Sequence, residues 1–196
     1  MVINTLVNRD IEKIRKAVRL HPNAVSGGLF LFVMVGLPGS GKSYFVDKLV
    51  KVIPATVLQS DFIRKTLVKK PTYTQREHSR VFKAIHAVTR ELLNSNNNVL
   101  IDATNLNRKY RIPLYQMANA AGARLIVIYL DTPREIARER IKDRGTQGNS
   151  ISDADWEVYK MLEDDFEPPE SPDYTITPVT DLPELIARIA SEIAPK

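Results

Sequence analysis

The sequence predicts an α/β fold in three layers: a parallel five-stranded sheet, helices on both of its faces, and a helical lid. Three observations predict it. From Leu29 onward, short apolar runs alternate with helical segments, the chain pattern of a parallel sheet. The first run, Leu29–Val35, is apolar at every position, as a strand covered on both faces requires. Capping signals and turn residues separate the later runs from segments whose apolar residues recur with helical period.

Taken in order, Asn8–Leu20 predicts a helix capped by Asn8, with Ile11, Ile14, Ala17 and Val18 on one face. His21–Gly28 is a linker by its Pro, Asn, Ser and Gly content. Residues 1–28 are thus an appended helix and linker, and residues 29–196 the main domain. After the first strand, Ser40–Val52 predicts a helix and Ala55–Leu58 a second strand. Thr74 and Glu77 have the spacing of a capping box, opening a helix striped by Val81, Ile85, Val88 and Leu92. Asn94–Asn98 ends it, Val99–Asp102 is a third strand, Tyr110–Ala121 a helix and Leu125–Leu130 a fourth strand. Thr132-Pro133-Arg134-Glu135 starts a helix with Thr as cap and Pro first; it reaches Arg144 and turns at Gly145–Ser150. Ser152 is expected to cap the next helix, which stops before Pro168-Pro169, so residues 134–167 form the lid. Tyr174–Thr177 is a fifth strand, followed by a wall segment for an adenine ring, and Pro183–Ile193 a closing helix.

Composition narrows the function. There is no cysteine, which excludes disulfides, thiolate catalysis and cysteine-ligated metal centres. No metal-ligand spacing of His, Asp or Glu suggests a structural metal. No apolar stretch is long enough to span a bilayer, and Asp10 and Glu12 near the start argue against a signal peptide, so the expected location is cytoplasmic. The 28 Lys and Arg exceed the 23 Asp and Glu, a net +5 that fits either a solvated surface or a polyanionic ligand.

The chemistry begins at Gly36-Leu37-Pro38-Gly39-Ser40-Gly41-Lys42-Ser43, which matches G-x-x-x-x-G-K-[ST] between a buried strand and a helix. The glycines let the backbone turn its N–H groups toward phosphate oxygens, and the start of the new helix adds a positive dipole end. Gly36, Gly39, Ser40, Gly41, Lys42, Ser43 and Tyr44 are the expected ATP-binding residues. Lys42 can reach the β- and γ-phosphates and Ser43 can hold Mg²⁺. The guanine-reading N-K-x-D pattern is absent.

Other candidate residues follow the second, third and fourth strands. Asp61 is placed to take the proton of an attacking hydroxyl, or to cap the helix it begins. Arg64 can hold an anion on the acceptor, or be a surface cation. Asp102 can organise Mg²⁺ through water, or bond the loop of Gly36–Ser43. Thr104 and Asn105 can bind the acceptor, or cap a turn. Arg108, Lys109 and Arg111 can meet a polyanion, or form a solvated face. Arg140 and Arg144, four apart on the lid helix, can neutralise charge developing on a transferred phosphoryl group. Arg134 and Arg138 are expected to pair with Glu135 and Glu139. His78, His86, Trp156, Tyr159 and Phe166 read as packing residues.

GLPGSGKS, SDFIR, IDATN and the R-x-x-x-R-G of Arg140–Gly145, in that order over Leu29–Pro169, resemble the P-loop kinases that include polynucleotide 5′-hydroxyl kinases and, more distantly, zeta-toxin and chloramphenicol kinases. The resemblance implies an ATP- and Mg²⁺-dependent phosphotransferase of P-loop kinase fold. It implies Lys42 and Ser43 on ATP and Mg²⁺, Asp61 as general base, and Arg64 and Thr104 on the phosphate beside the acceptor sugar. Arg140 and Arg144 map to the lid arginines. Tyr44 stands where a small residue is usual, and no attached phosphatase or ligase module is expected. A polynucleotide 5′ end is the leading acceptor. A metabolite, antibiotic or nucleotide-sugar acceptor is the alternative, and a slowly hydrolysing ATP-binding switch or adaptor the third reading.

Overall fold

A computed structural model of the chain describes residues 2–21, 28–147 and 154–194. Five strands, β1 (Phe30–Val35), β2 (Thr56–Gln59), β3 (Val99–Asp102), β4 (Arg124–Leu130) and β5 (Tyr174–Ile176), form one parallel sheet in the order β2-β3-β1-β4-β5. The helices are α1 (Val2–Ala17), α2 (Lys42–Leu49), α3 (Ser60–Leu67), α4 (Gln75–Asn94), α5 (Arg108–Ala120), α6 (Arg134–Gln147), α7 (Trp156–Asp164) and α8 (Leu182–Ile193).

The pleat of the central strands explains why they are apolar throughout. Successive side chains point to opposite faces. On one face Leu31, Val33, Val35, Val99, Ile101 and Val127 pack with α1, α3, α4 and α5. On the other Phe30, Phe32, Met34, Leu100, Ile126 and Ile128 pack with α2 and α8. β1 lies between β3 and β4, so the loop leaving its carboxyl end sits at the centre of the sheet's upper edge, where open parallel sheets bind ligands. A smaller cluster, Ala137, Ile141 and Tyr159 with Leu37 and Trp156, joins the α6–α7 pair to that loop.

The strands fall within a residue of expectation at most boundaries. α2 is shorter than expected, Lys42–Leu49 against Ser40–Val52, and four further segments differ. α1 begins at Val2, so Asn8 lies inside it rather than at its cap. Its buried side is Ile11 and Ile14, flanked by Val7 and Val18, while Ala17 faces out. Asp10 docks it, accepting both Nε and Nη2 of Arg80 at 2.7 Å. β2 runs one residue further, to Gln59, and α3 follows it directly. Gln59 occupies the N-cap position of α3, so Asp61 sits in the first turn and is not the cap. α6 continues through Gly145 to Gln147, so that part of the expected turn is helical; residues 148–150 lie outside the described residues. α7 starts at Trp156 with Asp155 as cap, its carboxylate accepting the N–H of Val158 at 2.9 Å; Ser152, the expected cap, lies outside the described residues. No helix among the described residues is long and apolar enough to cross a membrane.

Candidate active site

The loop between β1 and α2 is held from three sides. From β3, the carbonyl of Thr104 accepts the N–H of Gly36 at 3.2 Å. From the β4 end, Thr132 Oγ1 donates to the Ser40 carbonyl at 3.1 Å. From α6, Arg140 Nη1 donates to the carbonyls of Gly39 (3.3 Å) and Ser40 (3.0 Å). α6 also presses on the loop at Gly39, where a Cβ would lie 2.6 Å from the Ala137 carbonyl and φ is +77°. Gly41 precedes α2 at φ 99°, in the left-handed region where a side chain is costly.

Lys42 lies inside the loop. Its Nζ donates to the carbonyls of Gly36 (2.8 Å) and Leu37 (2.9 Å) and to Ser40 Oγ (3.3 Å). Burial lowers its pKa from 10.5 to about 8, against the pull of Asp102 and Asp61, with Arg144 adding to the fall. Beside it, Ser43 Oγ donates to Asp102 Oδ2 at 2.8 Å, and Gln59 Nε2 donates to both Ser43 Oγ (3.2 Å) and Asp102 Oδ2 (3.1 Å). Burial pushes the Asp102 carboxyl above its ordinary range, opposed by Lys42 and by the bonds from Ser43 and Gln59; Asp61 adds to the rise. Asp61 is therefore close enough for its charge to be felt at both Lys42 and Asp102, and Arg144 close enough to be felt at Lys42. The hydroxyl of Ser43 and the carboxylate of Asp102 are hard oxygen donors, and no cluster of three or more His, Asp or Glu stands among the described residues. That donor set fits Mg²⁺, which takes one or two protein oxygens plus phosphate oxygens and water.

Several expected residues are placed differently. Arg64 is not an open cation: it is 5% exposed, and its Nη1 donates to Glu77 Oε1 at 2.6 Å. Its guanidinium also lies 4.7 Å from the Tyr73 ring centre. Glu77, read from the sequence as half of a capping box, accepts the N–H of Thr72 at 2.8 Å and of Tyr73 at 3.3 Å; Thr74 does cap, accepting the N–H of Glu77. Asn105 does not face an acceptor. It is buried at φ 48°, its Nδ2 donates to the Met34 carbonyl at 2.6 Å, and its own carbonyl accepts from Arg111. Arg111 is buried as well, also donating to the Glu167 carbonyl at 2.7 Å, so it is not part of a solvated or anion-binding face. Tyr44 turns its ring outward under Lys48, which leaves its backbone in the first turn of α2 as the part near the loop. Arg134 and Arg138 do not pair along α6 as expected; both lie over Trp156, and Arg134 pairs with Glu163. Arg144 donates to the Ala154 carbonyl. His78 stacks on Phe82, and Trp156 on Tyr159, as packing residues.

Gln59, Glu77 and Thr132 were not recognised as site residues from sequence. Gln59 ends a strand next to Ser60-Asp61, the one signal available, but its two bonds depend on β2 lying beside β3. A cavity of about 240 Å³ flanks the loop, lined by Leu37, Tyr129, Asp131, Thr132, Tyr159 and Phe166 among others.

Comparison with known families matches residues 31–169 to AAA_33, described as an AAA domain. Among curated proteins, an L-seryl-tRNA(Sec) kinase of Methanococcus maripaludis is 25% identical over 157 residues, 74% of this chain; the chain spans 58% of that relative's length. Among solved structures, Kti12 of Chaetomium thermophilum with ADP-AlF3 superposes at a TM-score of 0.66 and 21% identity, covering 84% of this chain and 99% of the other. The Mycobacterium tuberculosis APS kinase CysC with AMPPNP and APS does so at 0.63 and 20%, covering 84% and 96%. These two likenesses are of fold, and they agree with the parallel five-stranded sheet described above.

Proposed function

Because the chain belongs to the AAA_33 family of AAA domains, we propose that it is an ATP-dependent kinase that moves the γ-phosphate onto a hydroxyl group, with a polynucleotide 5′-hydroxyl as the acceptor. The observation that carries this reading is the convergence of Lys42, Ser43, Asp102, Gln59 and Asp61 at the carboxyl ends of β1, β2 and β3.

The backbone N–H groups of Gly39–Ser43 and the start of α2 cradle the phosphates. Lys42 leaves the loop carbonyls for β- and γ-phosphate oxygens, and the negative charge met there raises its pKa again. Ser43, and Asp102 through water, would hold Mg²⁺, which when bound would offset phosphate charge. Asp61 takes the acceptor's proton as the acceptor oxygen bonds to the γ-phosphorus and the bond from that phosphorus to the β,γ-bridging oxygen breaks, leaving ADP. Arg140 and Arg144 stabilise the phosphoryl oxygens from the lid. Arg64, buried and paired with Glu77, fixes the turn of α3 that carries Asp61, and Thr104 meets the anion beside the acceptor.

The test is label transfer from γ-labelled ATP with Mg²⁺ to 5′-hydroxyl DNA and RNA oligonucleotides, with a metabolite extract in parallel. Label on an oligonucleotide that disappears with Asp61→Ala supports the reading. Label confined to a small molecule moves the acceptor to a metabolite. No label transfer at all, with slow ATP hydrolysis retained, refutes kinase activity.

A further inference from the structure

The charge of this chain is segregated. Residues 1–21 and 60–94, which supply α1, α3 and α4, carry thirteen Lys and Arg against five Asp and Glu, a net +8 where the whole chain totals +5. The remainder is therefore net acidic. The three basic helices are neighbours, since α1 packs on both α3 and α4. On α4 the exposed cations Arg76, Arg80, Lys83 and Arg90 recur at intervals of four, three and seven residues, so they lie along one side of the helix. Arg80 is bound to Asp10 of α1 and marks where that stripe meets the second helix. On α1, Arg9, Lys13 and Lys16 repeat the same spacing on the exposed side, opposite Ile11 and Ile14. Lys13, Lys16, Arg76, Lys83 and Arg90 have no carboxylate partner among the described residues.

The position of this face relates it to the site. Arg76 adjoins Glu77, which binds Arg64, and Arg64 is one helical turn from Asp61. The cationic stripe thus begins at the acceptor side of the cleft and runs ~21 Å along α4 at 1.5 Å per residue. Two exposed aromatic rings lie on the segments that meet there: Tyr73, just before α4, which is 49% exposed and backed by Arg64, and Phe62, next to Asp61 on α3. Rings beside a basic track are the two parts of a single-strand binding surface, the rings stacking bases and the cations following phosphates. A lipid surface fits less well. Interfacial helices bury their apolar face in the bilayer, and that of α1 is already spent on the core.

We propose that the exposed face of α1 and α4 (Lys13, Lys16, Arg76, Lys83 and Arg90), together with Phe62 and Tyr73, binds the backbone of a single-stranded polynucleotide whose 5′ end lies at Asp61. This rests on the kinase reading for the position of the end, while the binding surface itself is tested without phosphoryl transfer. The experiment is fluorescence anisotropy of 3′-labelled 5′-hydroxyl oligoribonucleotide and oligodeoxyribonucleotide of one sequence, without ATP, from 50 to 300 mM salt. The variants are K13Q/K16Q/K83Q/R90Q and, as a control on the opposite side, K51Q/R188Q. Binding by the wild type with a steep salt dependence is expected. The quadruple variant should bind at least 10-fold more weakly, with a log–log salt slope shallower by about 3, near 0.7 for each cation removed. The control pair should match the wild type, and both variants should melt with the wild type. An unchanged affinity and slope in the quadruple variant overturns the proposal. So does wild-type binding to polyglutamate or to anionic vesicles as tight as to either oligonucleotide. If the quadruple variant loses binding while the wild type transfers no phosphate to any hydroxyl, the surface stands and the kinase reading fails.

Discussion

Glu77→Gln separates a buried ion pair from a surface one. Glu77 is buried and accepts four hydrogen bonds, from Arg64 Nη1, Thr72 N, Thr72 Oγ1 and Tyr73 N. Burial alone would push its carboxyl up; the bonds from Thr72 and Arg64 and the Arg64 charge outweigh it and hold the pKa at about 2 instead of 4.5. That depression corresponds to about 3 kcal/mol favouring the ionised form in the folded chain. Glutamine keeps the shape and one acceptor oxygen but leaves the Arg64 charge uncompensated, and breaking a buried pair costs about 3–5 kcal/mol. We expect a loss of about 2–3 kcal/mol by urea unfolding at pH 7, and a melting point lower by about 5–10 °C. The folded pKa lies below the unfolded one, so this stabilisation is complete above pH 4.5 and is lost as pH falls toward 2. The gap between wild type and variant should shrink to about half by pH 3. A gap under about 0.5 kcal/mol at pH 7, within the range of surface substitutions, or one that is the same at pH 3 and pH 7, would refute the reasoning.

Other outcomes follow from the same geometry. Lys42→Ala should abolish phosphoryl transfer, at least a 10²-fold loss in kcat, with folding retained by circular dichroism. Asp61→Asn should lower kcat by 10²–10⁴ while ATP affinity, measured by calorimetry, stays within about threefold. Since burial holds Lys42 at about 8, ATP affinity should fall as pH rises through 8 and the ammonium is lost; an affinity flat from pH 7 to 9.5 counts against its place on the phosphates. Gly39→Ala should weaken ATP binding at least 10-fold, because its Cβ meets the backbone carbonyl of Ala137 and cannot be relieved by a rotamer change.

The order of elements was legible because local rules govern it. A run apolar at every position, a Gly-rich turn and a Lys-Ser pair identify β1 and its loop, since each feature acts within a few residues. The Thr74 cap and the α4 stripe are local in the same way. Lys42, Ser43 and Asp61 could be named as candidates for that reason, and Asp102 was left between a metal and a hydrogen bond because Ser43 is 59 residues away in sequence.

What the tertiary structure alone decided is which long-range partner each polar side chain meets. Arg64 and Asn105 read as open groups because Arg and Asn usually lie in water; packing of α3 on α4 and of the β3 loop on β1 buries them, and burial requires partners. Arg134 and Arg138 read as intrahelical pairs because Glu135 and Glu139 are adjacent, but the docking of α7 offers Trp156 instead. Gln59 carries no motif at all; it joins Ser43 to Asp102 because β2 lies beside β3 in register. Local sequence sets a residue's backbone state and its chemistry, whereas the packing of layers determines what that chemistry faces.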